Sequence, residues 1–243
     1  MSYDVFAEYY DELMQNVDYR ERAKYIDRLI KQYKPNADLL VDLACGTGSM
    51  TVEFAAMGYD VIGTDISDEM LSKAREKSDG SILYLCQSMQ ELDMYGTIDA
   101  FVCTLDSLNH IESREELCRA FSRISLFLEP DGVFVFDMNT PYKHEKILGN
   151  NAFVYEYDEL YCVWQNYYNG DGRVDIALDF FEERKDGSYC RYSEDFYELS
   201  YSYDDTEEML RSAGLKILAA YDDMTLEPPS AESERIIFVA GKA

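Results

Sequence analysis

The feature that most limits the possible folds is a regular alternation of short apolar segments with amphipathic ones. The segments DLLVDLA, YDVIGTD, SILYLC, IDAFVCT and GVFVFDM, between positions 38 and 138, are typical of strands. Segments with apolar residues at helical spacing separate most of them, for example SDEMLSKAREK and SREELCRAFSRISLFL. Two later segments, LKILAAY and RIIFVAG, add two more strands. This order predicts an α/β fold with a doubly wound, mostly parallel seven-stranded sheet of Rossmann-like type.

The pattern changes after Pro141. From about position 153 to 203 the chain favours three longer strands rich in tyrosine and acidic residues, with hairpin turns at NGDG (169–172) and KDGS (185–188). We therefore expect residues 141–203 to form an inserted antiparallel cap on the substrate side. Residues 1–140 and 204–243 then form the core, and the core begins with two helical patterns.

Charge and composition limit the partners of the chain. A formal net charge of -26 disfavours nucleic acids and anionic membranes, because those partners are bound by Lys and Arg. No apolar run of about 18 residues suggests a membrane span. Six scattered cysteines and two histidines show no metal-binding spacing, so we expect no metal and a reducing, cytoplasmic location. A small molecule is the expected partner, and no pattern indicates the oligomeric state.

The segment VDLACGTGSM (41–50) joins a predicted strand to a predicted helix and contains two close glycines. Three ligand classes compete for such a corner. A phosphate loop needs Lys followed by Ser or Thr after its last glycine, but Ser49 and Met50 stand there. A dinucleotide corner needs a third glycine, where this chain has Thr51. The remaining pattern pairs the corner with an acid, Asp65, that ends the next strand and can accept both hydroxyls of a ribose.

At this point the sequence resembles the class I S-adenosylmethionine-dependent methyltransferases. VDLACGTGSM, VIGTDISDEML, YLCQSMQELD and IDAFVCTLDSLNHI carry the resemblance, in the order and at the spacing of that family, across 38–139. The resemblance implies S-adenosyl-L-methionine as cofactor and an enzyme that transfers its methyl group to a small-molecule amine, hydroxyl or acid oxygen by in-line displacement.

The resemblance also implies which residues hold the cofactor. They are, from its methionine end to its adenine end, the loop residues Ala44, Gly46 and Gly48, the ammonium partners Asp42, Thr104 and Leu105, the ribose acid Asp65, and the adenine neighbours Ile66, Met70, Ser88 and Met89. Family members often have an acid where this chain has Ser88, so the contact with the adenine edge is the least secure of the set.

The reacting groups are expected just past the fourth strand, in LDSLNHI. Asp106 would orient the acceptor or take its proton, and Asn109 would share its face if the segment is helical. His110 is a further candidate base, although the sequence favours a surface or packing role for it. By the same resemblance the N-terminal YDVFAEYYDEL would form a lid that brings Tyr9 or Tyr10 towards the site, and we take Tyr10 as the third catalytic candidate.

The inserted cap is expected to form the wall of the substrate cleft. Trp164, Tyr157, Tyr168 and Tyr197 are the candidate wall residues, and a mixed aromatic and acidic wall would suit an amine. Two other functions stay open at this stage. One is an NAD-dependent oxidoreductase on a related sheet, and the other is a non-catalytic relative that binds the cofactor without turnover.

Overall fold

A computed structural model describes residues 4–157 and 160–243, with side chains from Tyr9 onwards. Residues 1–3 of the predicted lid and residues 158–159 of the predicted cap lie outside this range. The strands are β1 (Leu39–Leu43), β2 (Asp60–Asp65), β3 (Leu83–Cys86), β4 (Ile98–Cys103), β5 (Leu128–Asn139), β6 (Ala152–Tyr157), β7 (Leu160–Tyr168), β8 (Arg173–Glu183), β9 (Tyr189–Leu199), β10 (Leu215–Asp222) and β11 (Arg235–Lys242). The α-helices are α1 (Asp4–Leu13), α2 (Tyr19–Tyr33), α3 (Ser49–Ala56), α4 (Asp68–Lys77), α5 (Arg114–Phe127) and α6 (Tyr203–Ser212).

The main sheet has seven strands in the order β3-β2-β1-β4-β5-β11-β10. Strands β1 to β5 pair in parallel, and β11 runs antiparallel to both β5 and β10. This architecture confirms the predicted mostly parallel, doubly wound sheet. The strand order reverses between β1 and β4, and ligands in such sheets bind beyond the carboxyl ends of the strands at this reversal.

The inserted segment forms a separate antiparallel sheet of four strands, β6-β7-β8-β9, so the prediction of three long strands was wrong. Residues 153–168 read as one strand because their tyrosines and apolar residues continue without a glycine or proline. In the structure the chain folds back within this stretch, and Tyr157 pairs with Leu160. The predicted turns at 169–172 and 185–188 are confirmed, since the chain reverses at both places.

Buried side chains cover both faces of the main sheet, as the apolar strands require. Phe136 stacks on Phe134 and Phe238 with ring centroids 4.5 and 5.1 Å away, and Phe121 of α5 packs on it at 5.7 Å. On the other face, Ile26, Leu29 and Ile30 of α2 pack with buried residues of β1, β4 and β5. None of the helices in the described ranges is long and apolar enough to cross a membrane.

Phe136 tests the importance of this aromatic layer. Phe136→Ala removes a fully buried ring that contacts three other rings, so we expect a loss of about 3–5 kcal/mol in the free energy of unfolding. Leu126→Ala, on the exposed side of α5, is the control and should change it by less than about 1 kcal/mol. Urea denaturation measures both, and similar losses in the two variants would contradict this view of the core.

Candidate active site

A cleft of about 370 Å³ lies between the carboxyl edge of the main sheet and the inner face of the cap sheet. Its core side is formed by residues that follow β1, β2, β3 and β4. These are Ala44, Gly46, Asp65, Ile66, Met70, Gln87, Ser88, Met89, Gln90, Leu105, Asp106, Ser107 and His110. The cap contributes Tyr155, Trp164, Leu178, Phe196 and Glu198. The cleft therefore brings together four segments of the core and the cap, which are distant in sequence.

The glycine corner divides into one residue that faces the cleft and one that packs behind it. Gly46 lines the cleft with φ 54°, and Ala44 beside it adopts φ 50° without being glycine. Gly48, with φ 76°, begins α3, and a Cβ there would lie 2.8 Å from the hydroxyl of Tyr84 and 2.9 Å from Cβ of Ala74. Gly48 is thus needed for close packing of α3 against α4, whereas Gly46 and Ala44 leave backbone open to a ligand.

Asp65 is fixed at the edge of the cleft by the loop that follows β1. Its Oδ2 accepts the N–H of Gly46 at 2.8 Å, and its Oδ1 accepts the N–H of Ser67 at 2.9 Å. Burial raises the pKa of Asp65, and these N–H donors oppose the rise. A carboxylate has about four lone-pair sites, so the remaining sites can accept the two hydroxyls of a ribose.

The residues expected around an adenine line one end of the same cleft. Ile66 is 65% exposed although it is apolar, and Met70 is fixed at the start of α4, where the hydroxyl of Ser67 accepts the N–H of Met70. Ser88 and Met89 line the cleft after β3. Ile66, Met70 and Met89 together give the cleft apolar surface of the kind that a flat base covers.

A smaller recess continues from the cleft towards β1 and holds Asp42, Ala44, Thr104 and Leu105. Asp42 is 2% exposed and accepts a hydrogen bond from the hydroxyl of Thr51 at 2.6 Å. Burial raises the pKa of Asp42 to about 7, the Thr51 hydrogen bond lowers it, and the charge of Asp65 adds to the rise. A cationic group bound in this recess would gain a carboxylate partner at little further cost of desolvation.

The loop after β4 has an uncommon backbone. Leu105 and Asp106 both lie in the left-handed region, at φ 59° and 58°. Their N–H groups donate to the carboxylate of Asp137, at 2.8 Å to Oδ2 and 2.7 Å to Oδ1. Arg235 of β11 donates to Asp137 at 2.6 Å and to Oδ1 of Asp106 at 3.2 Å. Asp137 and Arg235 thus fix the direction of Asp106, and the sequence analysis missed both.

Asp106 is an acceptor in the cleft and a poor base. Burial alone would raise its pKa, but the charges of Arg235 and Lys143 and a hydrogen bond from Asn139 bring the pKa of Asp106 well below its usual range. Nδ2 of Asn139 donates to Oδ2 of Asp106 at 2.8 Å and to Oε2 of Glu198 at 2.9 Å. Of the two roles expected for Asp106, orientation of the acceptor fits this geometry and proton removal does not.

Asn109 does not line the cleft, and its amide is already in use. Asn109 is fully buried, donates from Nδ2 to the carbonyls of Asn139 and Leu199, and accepts the N–H of Asn139. The spacing rule for an α-helix does not hold here, because Ser107–His110 form a 3₁₀ turn. The catalytic role expected for Asn109 is therefore replaced by a structural one, which fastens this turn to β5 and to the end of β9.

His110, the further candidate base, does reach the cleft. Its ring packs on Phe196 with centroids 5.2 Å apart, and its Nε2 lies 3.9 Å from Oε1 of Glu198. Its Nδ1 is buried without a hydrogen-bond partner among the described residues. His110 is thus the titratable side chain in this corner that has a ring nitrogen left for a proton.

The two tyrosine candidates of the N-terminal segment, Tyr9 and Tyr10, lie in different places. Tyr10 lines both the cleft and the recess, and burial raises its pKa. Tyr9 instead packs into the cap, with its ring stacked on Phe180 at 5.5 Å.

Only one of the four predicted wall residues lines the cleft, and that is Trp164. The hydroxyl of Tyr157 donates to the carbonyl of Leu13, and Tyr197 lies under the guanidinium of Arg173. Tyr168 packs at the rim of the cap core. Tyr155 and Phe196 take the expected places in the cleft.

The fold and the cleft together define a class of protein. Where its strand order reverses, the doubly wound sheet presents the open backbone of Ala44 and Gly46, the carboxylate of Asp65 and apolar side chains. The buried carboxylate of Asp42 lies in the adjoining recess. This set fits a nucleoside that bears a cationic amino-acid chain, and it offers no lysine-containing phosphate loop. S-adenosylmethionine has these parts.

The chain is similar to known methyltransferases over its whole length. A family model described as a methyltransferase domain matches residues 40–132. A relative from Geobacillus sp. (strain WCH70), whose provisional name gives the activity as methyltransferase and no acceptor, is 34% identical, with 100% of both chains covered. The crystal structure of an S-adenosylmethionine-dependent methyltransferase from Clostridium acetobutylicum ATCC 824 is 33% identical, covers 99% of each chain and has a TM-score of 0.89. A glycine/sarcosine N-methyltransferase of Halorhodospira halochloris is 29% identical, with 98% of this chain and 88% of the relative covered.

The chain therefore belongs to the S-adenosylmethionine-dependent methyltransferases. The predicted family, cofactor and enzyme class are confirmed, and the alternatives of an NAD-dependent oxidoreductase and of a non-catalytic relative are not supported. The residue assignments within the cleft stay predictions, which the following variants test.

Asp65→Ala tests the ribose contact. The variant loses a charged acceptor at the cleft edge, so we expect binding of S-adenosylhomocysteine, the demethylated cofactor, to weaken at least about tenfold. Glu76→Ala removes the same charge from an exposed position of α4 and should leave affinity within about twofold. Isothermal titration calorimetry measures both, and equal affinity of the Asp65 variant and the native chain would remove Asp65 from the site.

Asp42 gives a pH-dependent stability with a definite sign. Its folded-state pKa of about 7 lies above the ordinary aspartate value of 3.8, so its contribution to stability is fully present below pH 3.8 and is lost as pH rises to about 7. The difference in unfolding free energy between the native chain and Asp42→Asn should therefore fall across this window, by at most roughly 1.4 kcal/mol per pH unit, and stay level above it. Urea denaturation at several pH values measures this, and a difference that rises with pH would contradict the assignment.

Proposed function

We propose that this methyltransferase methylates an amine nitrogen of a small molecule. One observation carries the proposal: acceptor atoms of Asp106, His110 and Glu198 all lie within 4.8 Å of one another at the cleft wall. Acceptors that bind two hydrogens of one tetrahedral nitrogen, each at about 2.9 Å, stand roughly 4.7 Å apart. The three groups thus lie close enough together for one amine nitrogen to contact more than one of them.

The rest of the cleft supports an amine whose remaining part is apolar or aromatic. Tyr155, Trp164 and Phe196 form aromatic wall, and an aromatic face attracts a nearby cation. Among the described residues, no lysine or arginine lines the cleft. A carboxylate or phosphate on the acceptor would therefore lack a cationic partner there.

The similarity to a glycine/sarcosine N-methyltransferase agrees with transfer to nitrogen. It does not carry the same acceptor to this chain. Glycine and sarcosine are anionic at one end, and within the described part of the chain no lysine or arginine lines the cleft to recognise that end. The shared chemistry is the nitrogen, and we propose a different substituent on it.

Asp106, Glu198 and His110 have different roles in binding the amine and removing its proton. Asp106 is held ionised by Arg235 and Lys143, so it accepts an N–H of the amine and orients it. Glu198 offers Oε1 beside His110 for a second N–H. His110 takes the proton of an entering ammonium, which leaves the nitrogen with a lone pair. The bound cofactor supplies the activated methyl group, and the cap and Tyr10 keep water from the nitrogen.

A panel of amines, alcohols and carboxylic acids, incubated with isotope-labelled S-adenosylmethionine, tests the acceptor class. We expect labelled methyl only on amines, detected by mass spectrometry, and preferentially on amines without an acidic group. His110→Gln should lower kcat/KM for the acceptor about 100-fold or more, because it removes the proton acceptor, with binding of S-adenosylhomocysteine unchanged. Asp195→Asn, on the exposed end of β9, is the matched control and should retain activity. Methylation confined to alcohols or carboxylates would refute the proposal.

The cytoplasmic location and the exclusion of nucleic acid stay predictions from composition.

A further inference from the structure

His144 lies one side chain away from the cleft and is fully buried. It belongs to a π-helical turn, Lys143–Leu148, between the main sheet and the cap. Its Nδ1 lies 2.9 Å from the carbonyl oxygen of Gly172, and its Nε2 lies 3.1 Å from Oε2 of Glu198. Glu198 is itself 3% exposed and reaches the cleft with its other oxygen. His144 thus connects a buried backbone carbonyl with a carboxylate of the candidate acceptor site.

The hydrogens in this chain of contacts can be assigned from the chemistry of the partners. A carbonyl oxygen only accepts, so Nδ1 of His144 must carry a hydrogen. If Nε2 carried none, its lone pair would face a carboxylate oxygen at 3.1 Å, which is repulsive. A proton therefore lies between His144 and Glu198. The pair is either an imidazolium with a carboxylate or a neutral imidazole with a carboxylic acid.

The surroundings favour the ionised pair. Nζ of Lys143 donates to Oδ1 of Asn139 at 2.9 Å, and this contact directs Nδ2 of Asn139 towards Oε2 of Glu198 as a second donor. Burial would raise the pKa of Glu198, but the hydrogen bond from His144 brings it below its usual value, against the charge of Asp106. Arg235 on β11 pairs with Asp106 and offsets that opposing charge. Two donors on one oxygen stabilise a carboxylate and disfavour its protonation.

We propose that His144 is a buried imidazolium that acts as a positioning residue for methyl transfer. As counter-ion, it keeps Glu198 ionised and turns Oε1 towards His110 and the acceptor nitrogen. The role of His144 in methyl transfer rests on the proposed amine acceptor, whereas its protonation state does not. An experiment can therefore refute either claim without refuting the other.

Nuclear magnetic resonance of protein labelled with ¹⁵N-histidine tests the protonation state without an acceptor. The chain has two histidines, so spectra of His110→Gln assign the imidazole signals of His144 in the native chain. We expect both nitrogens of His144 to be protonated from pH 6 to pH 8. We also expect Glu198→Gln, which removes the counter-charge, to abolish this state at pH 8. A nitrogen with a free lone pair in the native chain at neutral pH would overturn the proposal.

His144→Gln tests the role in catalysis. Glutamine keeps one hydrogen bond but no charge, so the acidic limb of the pH profile of kcat/KM should move to higher pH, and kcat/KM at pH 7 should fall about tenfold. Binding of S-adenosylhomocysteine should stay within about twofold, which shows that the variant folds and holds the cofactor. Glu145→Gln, exposed on the same turn, is the control and should leave the profile in place. An unchanged profile in His144→Gln would refute the positioning role even if amines are the acceptors.

Discussion

The acceptor half of the site depends on the carboxylate of Asp137. This side chain accepts the N–H groups of Leu105 and Asp106, two adjacent residues in the left-handed region, and pairs with Arg235. Each such residue costs about 1–3 kcal/mol unless its surroundings hold it, and a buried arginine without its partner is still more costly. Asp137 thus offsets both at once. Because Asp137 lies near the carboxyl end of β5, next to β4, the sheet itself fixes where the carboxylate of Asp106 points.

The charges around this corner are nearly balanced, although the chain as a whole is strongly acidic. The carboxylates of Asp106, Asp137 and Glu198 face the cations of Arg235 and Lys143 and, in our proposal, His144. A balanced corner gains little from one more positive charge. It therefore suits hydrogen bonding to the neutral form of the proposed amine acceptor, which is the reactive form. The overall acidity of the surface is a separate property and does not determine the acceptor.

The sequence predicts the cofactor side of the site better than the acceptor side, and the reason is geometric. Ala44, Gly46 and Asp65 lie at the carboxyl ends of predicted strands, so a parallel sheet brings them together once the strands are known. Glu198 and Tyr155 face the cleft only because of the strand register in the cap.

In that sheet, side chains alternate between the two faces, so Tyr197 points away from the cleft while Phe196 and Glu198 point into it. An unrecognised hairpin within 153–168 made the register of the cap unpredictable. His144 and Arg235 have no local signal at all, because their partners lie 54 and 129 residues away.

The position of Asn109 explains how the two halves of the site stay in register. Its amide joins three segments, the turn after β4, the end of β5 at Asn139 and the end of β9 at Leu199. Leu199 follows Glu198 directly, so the same amide that fixes the turn of Asp106 and His110 also fixes the backbone next to the cap carboxylate. The aromatic wall at Tyr155 and Trp164 comes from other strands of the cap and is free of this link. Changes in that wall can therefore alter which acceptor molecule fits while the carboxylate of Glu198 keeps its place beside Asp106 and His110.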